Sequence, residues 1–121
     1  MSLDGVTVSG TTDASGDVTF YTERITGFIH AIRYAKTDYA DGVDFTITAE
    51  TSGETIWTDT NINASEMVYP RRLLDDTAGA DLTAVYDYVL LLDERVSIVI
   101  GSGGDTKAGA FTIYIDTIGN P

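Results

Sequence analysis

A chain of 121 residues with 19 acidic and 7 basic side chains, formal charge −12, makes one domain with room for a single two-layer core. That charge repels nucleic-acid phosphates and anionic lipid headgroups, so no nucleic acid and no membrane is expected as a partner. The absence of cysteine excludes a disulfide-stapled scaffold and thiolate metal sites, and it fits a reducing cytosol.

The opening MSLDGVTVSG has neither the basic nor the apolar region of a signal peptide, so an unexported, soluble protein is expected. Residues 1–16 are polar, light and easily extended, and form either an ordered strand or an extended arm that reaches a neighbour. GDVTFYT then alternates, with Val18 and Phe20 on one face and Thr19 and Tyr21 on the other. Stretch 25–35, ITGFIHAIRYA, is apolar on both faces. Strict alternation sets Phe28, His30, Ile32 and Tyr34 against Ile25, Ile29 and Ala31, as in a strand covered twice. The cover is either the protein's own loops or another subunit, and the aromatic surface of Tyr34, Tyr39, Tyr69, Tyr86 and Tyr88 suits an interface.

VDFTITAE points Val43, Phe45, Ile47 and Ala49 inward. Asp81 is an N-cap for a turn of helix at 81–84, after which 85–92 favours extended structure. RVSIVI and AFTIYID repeat the alternation through Val96, Ile98, Ile100 and Phe111, Ile113, Ile115. Turn clusters at 12–17, 36–42, 51–54, 75–81 and 101–109 separate the strands. The expectation is one all-β domain over 1–121, an antiparallel β-sandwich or jelly-roll-like fold of seven to nine strands. The longest apolar run, 88–92, falls far short of the ~20 residues that span a bilayer.

The glycine-rich stretch Gly101-Ser102-Gly103-Gly104-Asp105-Thr106-Lys107 lacks the marks of a phosphate loop. Thr106 precedes the lysine, Ala108 follows it, and a strand comes next where a helix is needed. It reads as a hairpin turn between 95–100 and 109–116, with Gly101, Gly103 and Gly104 at positive φ. His30 is the sole histidine, which rules out a His metal cluster and favours a packed structural role. The loop acids Asp13, Asp17, Asp38, Asp41 and Asp44 suit Ca²⁺ as hard ligands, but a solvated acidic loop is the simpler reading. No cofactor is expected. With no cysteine and no recognisable nucleophile–base pair, the chain does not read as an enzyme.

Arg71 and Arg72 form the one adjacent basic pair. Either they serve salt bridges to Asp75 and Asp76, or they grip a partner's carboxylates. Trp57 is either a core plug or a sugar-stacking platform.

The order of DFTITAETSGETIWTDTNINAS (44–65), YPRRLLDDTAG (69–79) and LLLDERVSIVIGSGGDTKAGAFTIYID (90–116) resembles small virion proteins of tailed bacteriophages and prophages, the capsid decoration or cement class. The resemblance implies a non-enzymatic β-sandwich, made in the bacterial host cytoplasm, that binds the outer capsid surface and stabilises the head. Its partner would be the major capsid protein, and it would act as a dimer or trimer. Arg71, Arg72, Tyr69 and Tyr34 are the expected partner contacts. The alternative is a carbohydrate-binding head-fibre or tail-associated receptor-binding module that uses Trp57 and the acidic loops.

Overall fold

The computed structural model describes residues 3–75 and 77–117, and among these every regular element is a strand. In chain order they are β1 Leu3–Thr11, β2 Val18–Tyr21, β3 Ile25–Ala35, β4 Val43–Ala49, β5 Thr55–Ile62, β6 Glu66–Val68, β7 Arg71–Asp75, β8 Asp81–Glu94, β9 Val96–Gly101 and β10 Ala108–Thr117. These ten strands build two antiparallel sheets. The larger runs β1-β10-β3-β8-β7 with β6 also on β3, and the smaller runs β2-β9-β4-β5. The chain is therefore an all-β sandwich, with slightly more strands among the described residues than the seven to nine expected.

Alternation decides what each sheet buries. Val43, Phe45, Ile47 and Ala49 of β4 face Phe111, Ile113 and Ile115 of β10 across a core in which each is at most 2% exposed. Rings lock the layers: Phe45 stands edge-on to Phe111 at 5.1 Å between centroids, and Trp57 edge-on to Phe45 at 4.5 Å.

Strict alternation fails in β3. Tyr114 pairs with Ala31 but Ile115 pairs with Ile29, so His30 is the extra residue of a bulge. Below it Ile25 and Ile29 face the core; above it Ile32 and Tyr34 do. Phe28 and His30 consequently turn to the outer face with Arg33, and Tyr34 is buried at 0% exposure. Tyr34 is thus a core residue that no surface partner reaches, contrary to the expected partner contact.

Three further expectations are corrected. β9 and β10 lie in different sheets, so 101–107 carries the chain across the sandwich and is no hairpin turn. Of its glycines only Gly104 has positive φ, 92°, while Ser102 and Thr106 take 57° and 53°. Gly103 serves a close approach instead, because an added Cβ would stand 2.9 Å from the Thr12 methyl. Residues 81–84 begin a 14-residue strand and not a helical turn. Of the two readings of the N-terminal stretch, residues 3–11 take the ordered one, an edge strand paired with β10 in unbroken register.

Tyr39 covers the end of this core. Its ring lies against Gly109, where an added Cβ would come within 2.1 Å of it. Its hydroxyl donates to the Gly10 carbonyl at 2.7 Å. Burial, and then the neighbouring Tyr34, push its phenol up to about 12 against an opposing backbone hydrogen bond at Gly109. Burial, with the Asp41 charge second, likewise raises Tyr34. The Tyr34 hydroxyl is buried with no hydrogen-bond partner among the described residues.

These two tyrosines respond oppositely to loss of the hydroxyl. Tyr39→Phe is expected to lower the unfolding free energy by about 1 kcal/mol, whereas Tyr34→Phe is expected to be neutral or stabilising. Gly109→Ala overpacks the Tyr39 ring and is expected to cost about 1–3 kcal/mol. Urea unfolding midpoints measure all three. Because the Tyr39 phenol titrates higher folded than unfolded, its contribution is intact below pH 10 and is lost as pH rises toward 12. The fall in midpoint over that window should be shallower in Tyr39→Phe.

Candidate docking surface

The outer face of the large sheet gathers what the core leaves out. In β8, Val89 and Leu91 point inward, so Tyr88, Leu90 and Leu92 point outward and are 38%, 36% and 65% exposed. Phe28 pairs with Leu90 across the ladder, and its ring lies 6.2 Å from Tyr88. The bulged His30 stacks on Tyr88 at 5.9 Å and meets Tyr69 edge-on at 6.2 Å. Tyr69, just before Pro70 at the turn from β6 into β7, is 57% exposed. Toward the upper end Arg33 pairs with Met67, whose side chain is 46% exposed. The result is a continuous surface of aromatic rings, leucines and a methionine, of the composition that protein interfaces favour.

Arg71 is built into this surface. Its guanidinium lies 4.2 Å from the centre of the Tyr88 ring, and one nitrogen donates to the carbonyls of His30 and Pro70 at 3.2 and 2.8 Å. These bonds leave its charge uncompensated. Arg72 points elsewhere and pairs with Glu54 at 3.5 Å, beside the small sheet. The sequence therefore misleads in treating the two arginines as one clamp: adjacent residues of a strand face opposite ways. Of their expected acidic partners, the Asp75 side chain and Asp76 lie outside the described residues.

The charge pattern isolates the same face. Of seven basic side chains, five have an acidic partner: Arg24 with Asp93, Lys36 with Asp41, Arg72 with Glu54, Arg95 with Glu50 and Lys107 with Asp38. Arg95 holds the Glu50 carboxyl below the usual range through a hydrogen bond. Among the described residues only Arg33 and Arg71 stand in no ion pair, and both are exposed on the outer face of the large sheet. Sequence reading missed Arg33, because the signal for it is the bulge that turns it outward.

The other expected sites resolve into structure. Asp13 accepts the backbone N–H groups of Ser15 and Asp17, Asp44 accepts that of Asn61, and Asp38 accepts that of Ala108. No group of three metal-ligating side chains comes together among the described residues. A cleft of about 600 Å³ on the outer face of the small sheet is lined by Asp13, Asp17, Thr19, Asp44 and Thr46. Phe45, the aromatic residue lining it, is buried, and Trp57 is in the core at 9% exposure. Trp57 is therefore no stacking platform for a sugar.

No family model matches the chain, and no curated protein matches it.

The packing of Trp57 against Phe45 sets an optical expectation. Its emission should be blue-shifted, resistant to acrylamide quenching and unchanged by added oligosaccharides. Emission typical of a water-exposed indole would overturn the placement.

Proposed function

We propose that this chain is a non-enzymatic structural protein of a tailed-phage virion, which docks on the exterior of the capsid and stabilises the head. One observation supports a docking role: the two arginines without an acidic partner share one face with the exposed rings of Tyr69 and Tyr88. A chain of charge −12 that keeps two uncompensated cations on an aromatic surface has a complementary place for an acidic, partly apolar partner surface. The outer coat surface is that partner in this reading, with the major capsid protein supplying the carboxylates. The virion assignment itself draws on the sequence resemblance over 44–65, 69–79 and 90–116.

A rigid sandwich suits the role. Docking costs less when the surface is pre-formed, and here β3, β8 and the Tyr69–Pro70 turn hold the rings on a sheet closed from behind by the core. The remaining acidic surface keeps free copies apart until a shell is available.

The chain should be found in purified particles at a copy number approaching that of the coat protein. Tyr69→Ala with Arg71→Ala should weaken binding to undecorated capsids by about tenfold or more, as expected for loss of an aromatic–arginine pair. Arg72→Ala should change binding little, because that side chain is held by Glu54. Full binding by the double variant, or absence from particles, would overturn the proposal.

A further inference from the structure

Among the described residues five strands have an open edge: β1, β6 and β7 in the large sheet, β2 and β5 in the small one. Natural sheets blunt such edges by shortness, charge, proline or bulges, since an open row of backbone groups pairs with other chains. Four of the five are blunted here, β6 by having only three residues. β2 has only four residues. β5 carries two register breaks against β4. β7 begins with two arginines, and its pairing with β8 shifts after Leu73.

β1 carries none of these devices. It runs nine residues in unbroken register, contains no proline and no lysine, and has Asp4 as its one charge. The ladder with β10 runs on past Thr11, where the Thr12 N–H donates to the Lys107 carbonyl at 2.8 Å. Alternation back from Thr12 turns the backbone groups of Asp4, Val6 and Val8 toward β10 and those of Gly5, Thr7 and Ser9 to the open side. Among the described residues no strand pairs along that side.

The strand also reads nearly the same in both directions about Thr7: Gly5-Val6-Thr7-Val8-Ser9. In a twofold contact each residue meets its counterpart across the axis, so about Thr7 valine meets valine and glycine meets serine, with no clash of size or charge. We propose that β1 is the seam of a homodimer, in which two copies pair antiparallel across a twofold centred on Thr7. In that register Val6 faces Val8 of the second copy, and the outward backbone groups of Gly5, Thr7 and Ser9 meet those of Ser9, Thr7 and Gly5 in the second copy as hydrogen-bonded pairs. Val6 and Val8 already pack against the core as partly buried residues, so the pairing extends the inner layer of each sandwich. Asp4 falls opposite Gly10, and no like charges stand face to face. Thr7 meets Thr7 on the outer face, where it is exposed and bonds only Thr112 at 3.0 Å. Repulsion between two chains of charge −12 opposes association, so added salt tightens it.

Thr7 supplies the test. In sedimentation velocity, the isolated full chain should show a concentration-dependent doubling of mass, stronger at 0.5 M salt than at low salt. Thr7→Lys and Thr7→Glu should each be monomeric, since like charges directly opposite destabilise a strand pair. An equimolar mixture of the two should recover the dimer. Thr7→Cys, in a chain with no other cysteine, should form a covalent dimer under mild oxidation, while Thr58→Cys on the small sheet should not. Circular dichroism checks that each variant is folded. A wild-type chain that stays monomeric at millimolar concentration, or forms a trimer, would overturn the proposal. So would charge variants that dimerise as well as the wild type. The measurement uses no capsids, so its failure and the failure of the docking proposal are separate results.

Discussion

The interlock of Phe45, Phe111, Tyr34 and Trp57 is the contact on which the remaining geometry depends. Tyr34 and Phe111 come from the large sheet and Phe45 and Trp57 from the small one, with centroid separations of 4.5–5.4 Å along the chain of contacts. For Tyr34 to join this cluster, β3 must present it inward, yet lower in the same strand Ile25 and Ile29 must also face inward. Uninterrupted alternation cannot place Ile29 and Tyr34 on one side, since they are an odd number of residues apart. The bulge at His30 resolves the conflict, and its consequence is displayed outside: His30 stands proud of the sheet, stacked on Tyr88, with Arg33 turned outward above it. The exposed face is thus the complement of the core.

That dependence explains how much could be read without coordinates. The inward sets of β4, β9 and β10 follow directly from period-two alternation, because those segments keep a regular pleat. Alternation reports in or out, however, and carries no information on which sheet a strand joins. β9 and β10 therefore looked like a hairpin when the loop between them crosses the sandwich. The loss of phase in β3 left no mark in composition: ITGFIHAIRYA is apolar on both faces whether or not a residue is bulged. Tyr34 was assigned to the wrong face for that reason, and Arg33 was overlooked for the same one. Tyr69 and Arg71 were legible because Pro70 ends β6 and leaves its neighbours at the surface. The separation of Arg71 from Arg72 was not, since it follows from the alternation of β7, and YPRRLLDD carries no period-two pattern that marks 71–75 as a strand.

Charge arrangement adds a second constraint. With acids outnumbering bases, any exposed cation readily finds a local carboxylate, and five of the seven do. Exposed pairs of this kind contribute little to stability. Their consequence here is that they cancel positive charge everywhere except on one face. Arg71 is held in place by a ring and two carbonyl oxygens, partners that orient a guanidinium without neutralising it. A flexible side chain pays in lost rotamer freedom when it docks, and an arginine already fixed over Tyr88 has little left to lose.

The edge and the face are related through the geometry of the sheet. β1 and β7 are the opposite ends of the large sheet, and the aromatic surface lies on β3, β8 and the turn into β7, away from the proposed seam. A twofold through Thr7 that joins two edges in one continuous sheet runs perpendicular to it. Both outer faces then look the same way, and the Tyr69–Arg71–Tyr88 surfaces sit at the two far ends of one slab. Such a slab engages two acidic sites at once, so the second contact forms at a high effective concentration and modest single contacts suffice. Pairing through β7 instead would bury Arg71 against its own copy and bring two uncompensated cations together. The unblunted edge is thus the one whose use leaves the uncompensated arginines free.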